Sequence, residues 1–100
     1  MTPPHPEREV TDASVIEAAR RLTKAQRAAV LSACIHEARG EGPQWFLPLS
    51  TRVATERAIR RAGLLLYAYI TATHSVGSRA YLNAAGLAVR AHLLASQGPA

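Results

Sequence analysis

Apolar positions recur at helical spacing through the first part of the chain, and the rhythm changes beyond it. Val15, Ile16, Ala19 and Leu22 fall on one side of a short helix that Thr11 or Asp12 can cap, ending near Arg21. Thr23 and Gln26, three residues apart, have the form of a capping box. The helix they open carries Arg27, Leu31, Cys34, Ile35 and Ala38 along one stripe with Ala28 beside it, and Gly40 ends it. The pattern favours a break near Leu22 and Thr23; the alternative is one continuous helix from Asp12 to Arg39. Gln44, Trp45 and Phe46 then fit a short strand, with Trp45 or Phe46 sealing the core.

The helical period returns over residues 51–62. Ile59, Ala62, Thr55, Ala58 and Thr51 fall on one side, and Arg57, Arg60 and Arg61 lie opposite with Val53 and Ala54. Ser50 is placed to cap this helix, and Gly63 to close it in the left-handed conformation. From Leu64 to Thr71 the residues become aliphatic and aromatic, which predicts a strand. Residues 73–78 supply turn chemistry, and Arg79, Ala80, Tyr81 and Leu82 form a returning strand. Helix, strand, polar turn and strand together outline a wing, with Arg79 near it on the same side as the helix arginines and His74 within it, either a phosphate neighbour or an ordinary surface residue. Asn83 caps a last helix whose stripe is Leu87, Ala91 and Leu94.

The expected class is mainly α with a small β-hairpin wing. Residues 1–10, with Pro3, Pro4 and Pro6, read as a disordered arm, residues 11–95 as one domain and 96–100 as a flexible tail. A chain of 100 residues supports one domain, with a thin core because so much of its apolar content is alanine.

Charge sharpens this picture by its placement. The formal net charge is +5. Up to Leu49, six basic residues face six acids, whereas from Ser50 onward six arginines (Arg52, Arg57, Arg60, Arg61, Arg79 and Arg90) accompany Glu56 alone. Three arginines within five residues of one helix repel one another, and a polyanionic partner removes that cost. The alternative is a solvated helix face.

Other chemistry has little to rest on. Cys34 is the only cysteine, so no intrachain disulfide is possible, and its place on an apolar helical stripe reads as core. His5, His36, His74 and His92 lack metal-ligand spacing, and no Ser, His and acid combination suggests a nucleophile. The expectation is therefore no enzyme, no cofactor and no metal. The amino terminus lacks the basic start and apolar core of a signal peptide. The longest apolar run, residues 62–70, is about nine residues, against roughly 20 for a membrane span. A soluble cytoplasmic protein without membrane contact is expected.

Three segments carry a resemblance. LTKAQRAAVLSA looks like the helix opening of MarR-like and related winged-helix regulators; PLSTRVATERAIRRAGLL is similar to their recognition helix, ending in a basic residue, glycine and two aliphatics. AYLNAAGLAVRAHL resembles the step that leaves their wing, with Asn83 where threonine is usual and Gly86 in the expected place. The resemblance, spanning residues 22–94, implies a winged helix-turn-helix protein of phage or mobile-element type. It further implies a homodimer that binds double-stranded DNA as a transcriptional regulator. It places Thr51, Arg52, Val53, Arg57, Arg60 and Arg61 against the groove, and the turn with His74 and Arg79 against the backbone. The sequence departs from the family where a further helix usually precedes the recognition helix, since residues 40–49 leave room for at most one turn. That departure keeps open a second function: a protein-interaction module, such as a phage-type inhibitor or an assembly subunit, that sets the same basic face against an acidic protein partner.

Overall fold

The computed structural model describes residues 11–71 and 77–97. The expected arm at 1–10, His74 and most of the expected wing turn lie outside them.

Helix α1 (Asp12–Arg21) is opened by Thr11, whose hydroxyl accepts from Ser14 N while Ser14 Oγ reciprocates. Leu22 is buried and extended, which separates α1 from α2 (Lys24–Leu31). The expected capping box opens α2: Thr23 Oγ1 accepts from Gln26 N at 3.2 Å, and Thr23 N donates to Gln26 Oε1 at 3.0 Å.

The second helix stops well short of Gly40, contrary to the sequence expectation. Residues expected on its stripe form strand β1 (Cys34–Ala38), paired antiparallel with β2 (Gly42–Phe46). The reason is local and tertiary together. Gly40 (φ +79°) and Gly42 (φ +72°) take the left-handed backbone that reverses the chain through residues 39–41. The hairpin so formed also buries Ala38 and Phe46. Cys34 and Ile35, expected in the core, are exposed. Strand β2 was expected around Gln44, Trp45 and Phe46, and Phe46 is the aromatic that seals, at 1% exposure.

Helix α3 (Val53–Arg61) is followed by β3 (Leu65–Ala68), β4 (Arg79–Leu82) and α4 (Ala84–Ser96). The four strands form one antiparallel sheet in the order β1-β2-β4-β3. The described residues thus form an α+β unit, with four helices and a four-stranded sheet instead of a lone hairpin. Strand β3 is shorter than expected because the chain leaves β4 and crosses to the far edge. Arg39 N donates to Tyr69 O at 2.8 Å, Thr71 N donates to Glu37 O at 3.0 Å, and Ala38 bridges Ile70. Bonding between the two ends of the strand order requires the sheet to curl.

Side chains alternate across the strands and divide between two cores. Leu65, Ala80 and Leu82 join Val30, Ile59 and Val89 of the helices in the larger cluster, while Tyr81, Phe46, Ala38 and Ile70 fill the curl on the other face. Asn83, 3% exposed, ties the helices to the sheet. Its Oδ1 accepts from Gly86 N at 2.8 Å, capping α4, and its Nδ2 donates to Gly63 O at 2.9 Å, just past the end of α3. Gly86 has no room for a Cβ, which would meet the Leu64 carbonyl oxygen and the Leu82 side chain. No described helix is long and apolar enough to cross a membrane.

Candidate nucleic-acid interface

Helix α3 sets its faces as the periodicity requires. Ile59 is fully buried, Thr55, Ala58 and Ala62 are half-buried, and Arg57, Arg60, Arg61, Val53 and Ala54 are exposed. The start of the helix differs from expectation. A turn closed by Thr51 N donating to Pro48 O at 3.0 Å leaves Ser50 too early to cap, and Arg52 takes the N-cap position without a side-chain hydrogen bond. Thr51 and Arg52 line a cleft between α2 and the start of α3, together with Ala28, Ser32, Ser50 and Thr55.

Of the residues expected to contact DNA, Arg52, Val53, Arg57, Arg60 and Arg61 are exposed on or beside α3, and Thr51 sits half-buried at its start. Arg79 does not join them. It pairs with Ala68 across the ladder while Tyr67 pairs with Ala80, so Arg79 lies on the opposite face of the sheet from Tyr67 and α3. Its Nη2 donates to Leu47 O at 3.0 Å. Arg90 is also elsewhere, its guanidinium 4.0 Å from the centre of the Trp45 ring. Two of the six arginines behind the charge asymmetry are therefore occupied within the fold.

Charge around α3 is unbalanced. Among the described residues, no carboxylate forms an ion pair with Arg52, Arg57, Arg60 or Arg61; those ion pairs join Arg20 and Arg21 of α1 to Glu17. Glu56, the acid of α3, instead accepts from the Tyr67 hydroxyl at 2.9 Å. Burial, and then this hydrogen bond to Glu56, push the Tyr67 phenol above its ordinary pKa. Arg60 lies over the same ring, 5.7 Å from its centre. Tyr67 is a residue that sequence reasoning used only as part of a strand. Its signal was the alternation of tyrosines at 67 and 69, which a strand turns to one side.

Comparisons of the chain with protein-family models, curated proteins and solved structures found no match.

Proposed function

We propose that this protein binds duplex DNA through the exposed arginine face of α3 and works as a transcriptional regulator. The observation that carries the reading is the set of four arginines, Arg52, Arg57, Arg60 and Arg61, held around one rigid helix with no carboxylate paired to them among the described residues. A phosphate backbone relieves their mutual repulsion, and bidentate arginine is also the commonest reader of guanine in the major groove. In this reading the unit is a winged-helix variant. Helix α3 acts as recognition helix and β3 and β4 as the stem of the wing, with the β1–β2 hairpin in place of the second helix. A groove between α1 and α4, lined by Val15, Ile16, Ala88 and Ala91, supports a homodimer along that face.

Fluorescence anisotropy with a labelled duplex tests the reading. With four phosphate contacts per protomer, log affinity falls against log salt with a slope of about −3.6. Binding that ignores salt, or that survives replacement of Arg57, Arg60 and Arg61 by alanine, excludes it. No duplex binding at low salt by the folded protein excludes it as well, and an acidic protein surface is then the partner to seek by pull-down.

A further inference from the structure

Beside α3, the curled sheet assembles a second group of side chains that, Arg60 apart, duplex binding does not use. Tyr67 and Tyr69 stand two residues apart on and just beyond β3, so their side chains leave the same face. They are 38% and 46% exposed, large for aromatic rings on a sheet that buries Phe46 and Tyr81. An arginine lies over one side of each ring, Arg60 at 5.7 Å from the centre of Tyr67 and Arg39 at 5.4 Å from that of Tyr69, which leaves the other side of each ring for a base. Arg39 reaches this place because the backbone bond from its N–H to Tyr69 O joins the two edges of the sheet. The result is a continuous strip, Arg60, Tyr67, Tyr69 and Arg39. No carboxylate among the described residues forms an ion pair with either arginine.

We propose that this strip binds single-stranded nucleic acid, with unpaired bases stacked on Tyr67 and Tyr69 and the flanking phosphates held by Arg60 and Arg39. Flat rings flanked by cations are the elements of a sequence-tolerant single-strand surface. Spacing decides against a duplex as its occupant. Two strand residues set the rings about 7 Å apart, whereas successive nucleotides of a duplex strand rise about 3.4 Å and keep their base faces covered. Only a strand whose bases have separated can offer a face to each ring. The strip shares Arg60 with the α3 face and otherwise stands independently of the duplex reading.

The test is fluorescence anisotropy with labelled oligo(dT), oligo(rU) and a duplex of equal length, at low and moderate salt. The wild-type protein binds an oligonucleotide, and the two sugars tell DNA from RNA. Tyr67→Leu with Tyr69→Leu weakens that binding by at least about tenfold, and Tyr69→Leu alone weakens it while duplex affinity is unchanged, since Tyr69 makes no bond to α3. Tyr67→Phe, which keeps the ring and removes its bond to Glu56, retains single-strand binding; this separates stacking from a structural role of the hydroxyl. Circular dichroism and Trp45 emission establish that each variant is folded. Failure of the wild-type protein to bind either oligonucleotide at low salt overturns the proposal, as does a double tyrosine variant that binds like wild type. Duplex binding without single-strand binding leaves the α3 reading standing and removes this one, and the reverse result does the opposite.

Discussion

Helices α1 and α3 carry the same basic residue in opposite circumstances. In α1, Glu17 stands three and four residues ahead of Arg20 and Arg21 and meets both, at 2.7 and 2.6 Å. The two hydrogen bonds, Arg20's the stronger influence, hold the Glu17 carboxyl below its ordinary range. In α3, Glu56 stands four residues ahead of Arg60, a spacing that favours the same pairing. It is turned instead toward the sheet, where Tyr67 donates to it, and Arg60 settles over the tyrosine ring. One tyrosine on β3 thus leaves a local charge pair unmade and the arginine face open. A groove lined by Arg21, Leu22, Gln26, Ala58 and Arg61 lies between the two helices, so the neutralised and open arginines are neighbours.

The contrast is broken most severely by removing the open set. Replacing Arg57, Arg60 and Arg61 by alanine should lower duplex affinity on the order of 100-fold at low salt and make the salt slope shallower by about 2.7, as measured by anisotropy. The same treatment of Arg20 and Arg21 should leave both nearly unchanged, because Glu17 already balances them. Next in size is the anchor of α3. Asn83→Ala removes two hydrogen bonds, the buried cap of α4 and the part-buried bond to Gly63 O, and should destabilise the protein by about 2 kcal/mol in urea denaturation. Unlike the arginine variants, it should lower stability and binding together.

Converting α3 toward the condition of α1 is a gentler test. Val53→Glu puts a carboxylate four residues ahead of Arg57 and in the first turn of the helix, at a position 66% exposed. Helix stability should rise by about 0.2–0.5 kcal/mol while duplex affinity drops several-fold. The smallest effect is the converse change, Glu17→Gln, which frees Arg20 and Arg21. Because the folded carboxyl has the lowered pKa, the stabilisation it gives is present above its unfolded pKa and is lost as the pH falls through the folded one. The variant should lack that share of acid sensitivity in thermal melts at successive pH values, and its duplex affinity should rise slightly.

The pieces that short-range chemistry controls are legible along the chain. The capping box at Thr23, the favoured break near Leu22, the two faces of α3 and the Asn83 cap each depend on residues within four positions, where spacing dictates geometry, whereas the choice of Thr11 over Asp12 as the first cap came with its bond to Ser14. The division of residues 24–39 was decided elsewhere. Their apolar spacing suits a helix, but pairing with β2 and burial of Ala38 in the second core drew 34–38 into a strand, and neither partner is visible from local period. The open state of the arginine face and the Tyr67–Tyr69 strip are likewise tertiary. They depend on Tyr67 reaching Glu56 from eleven residues away and on Arg39 meeting Tyr69 across the curled sheet. Sequence spacing describes which groups share a face of one element, whereas only the packing of elements decides which of those groups find partners and which remain available to a ligand.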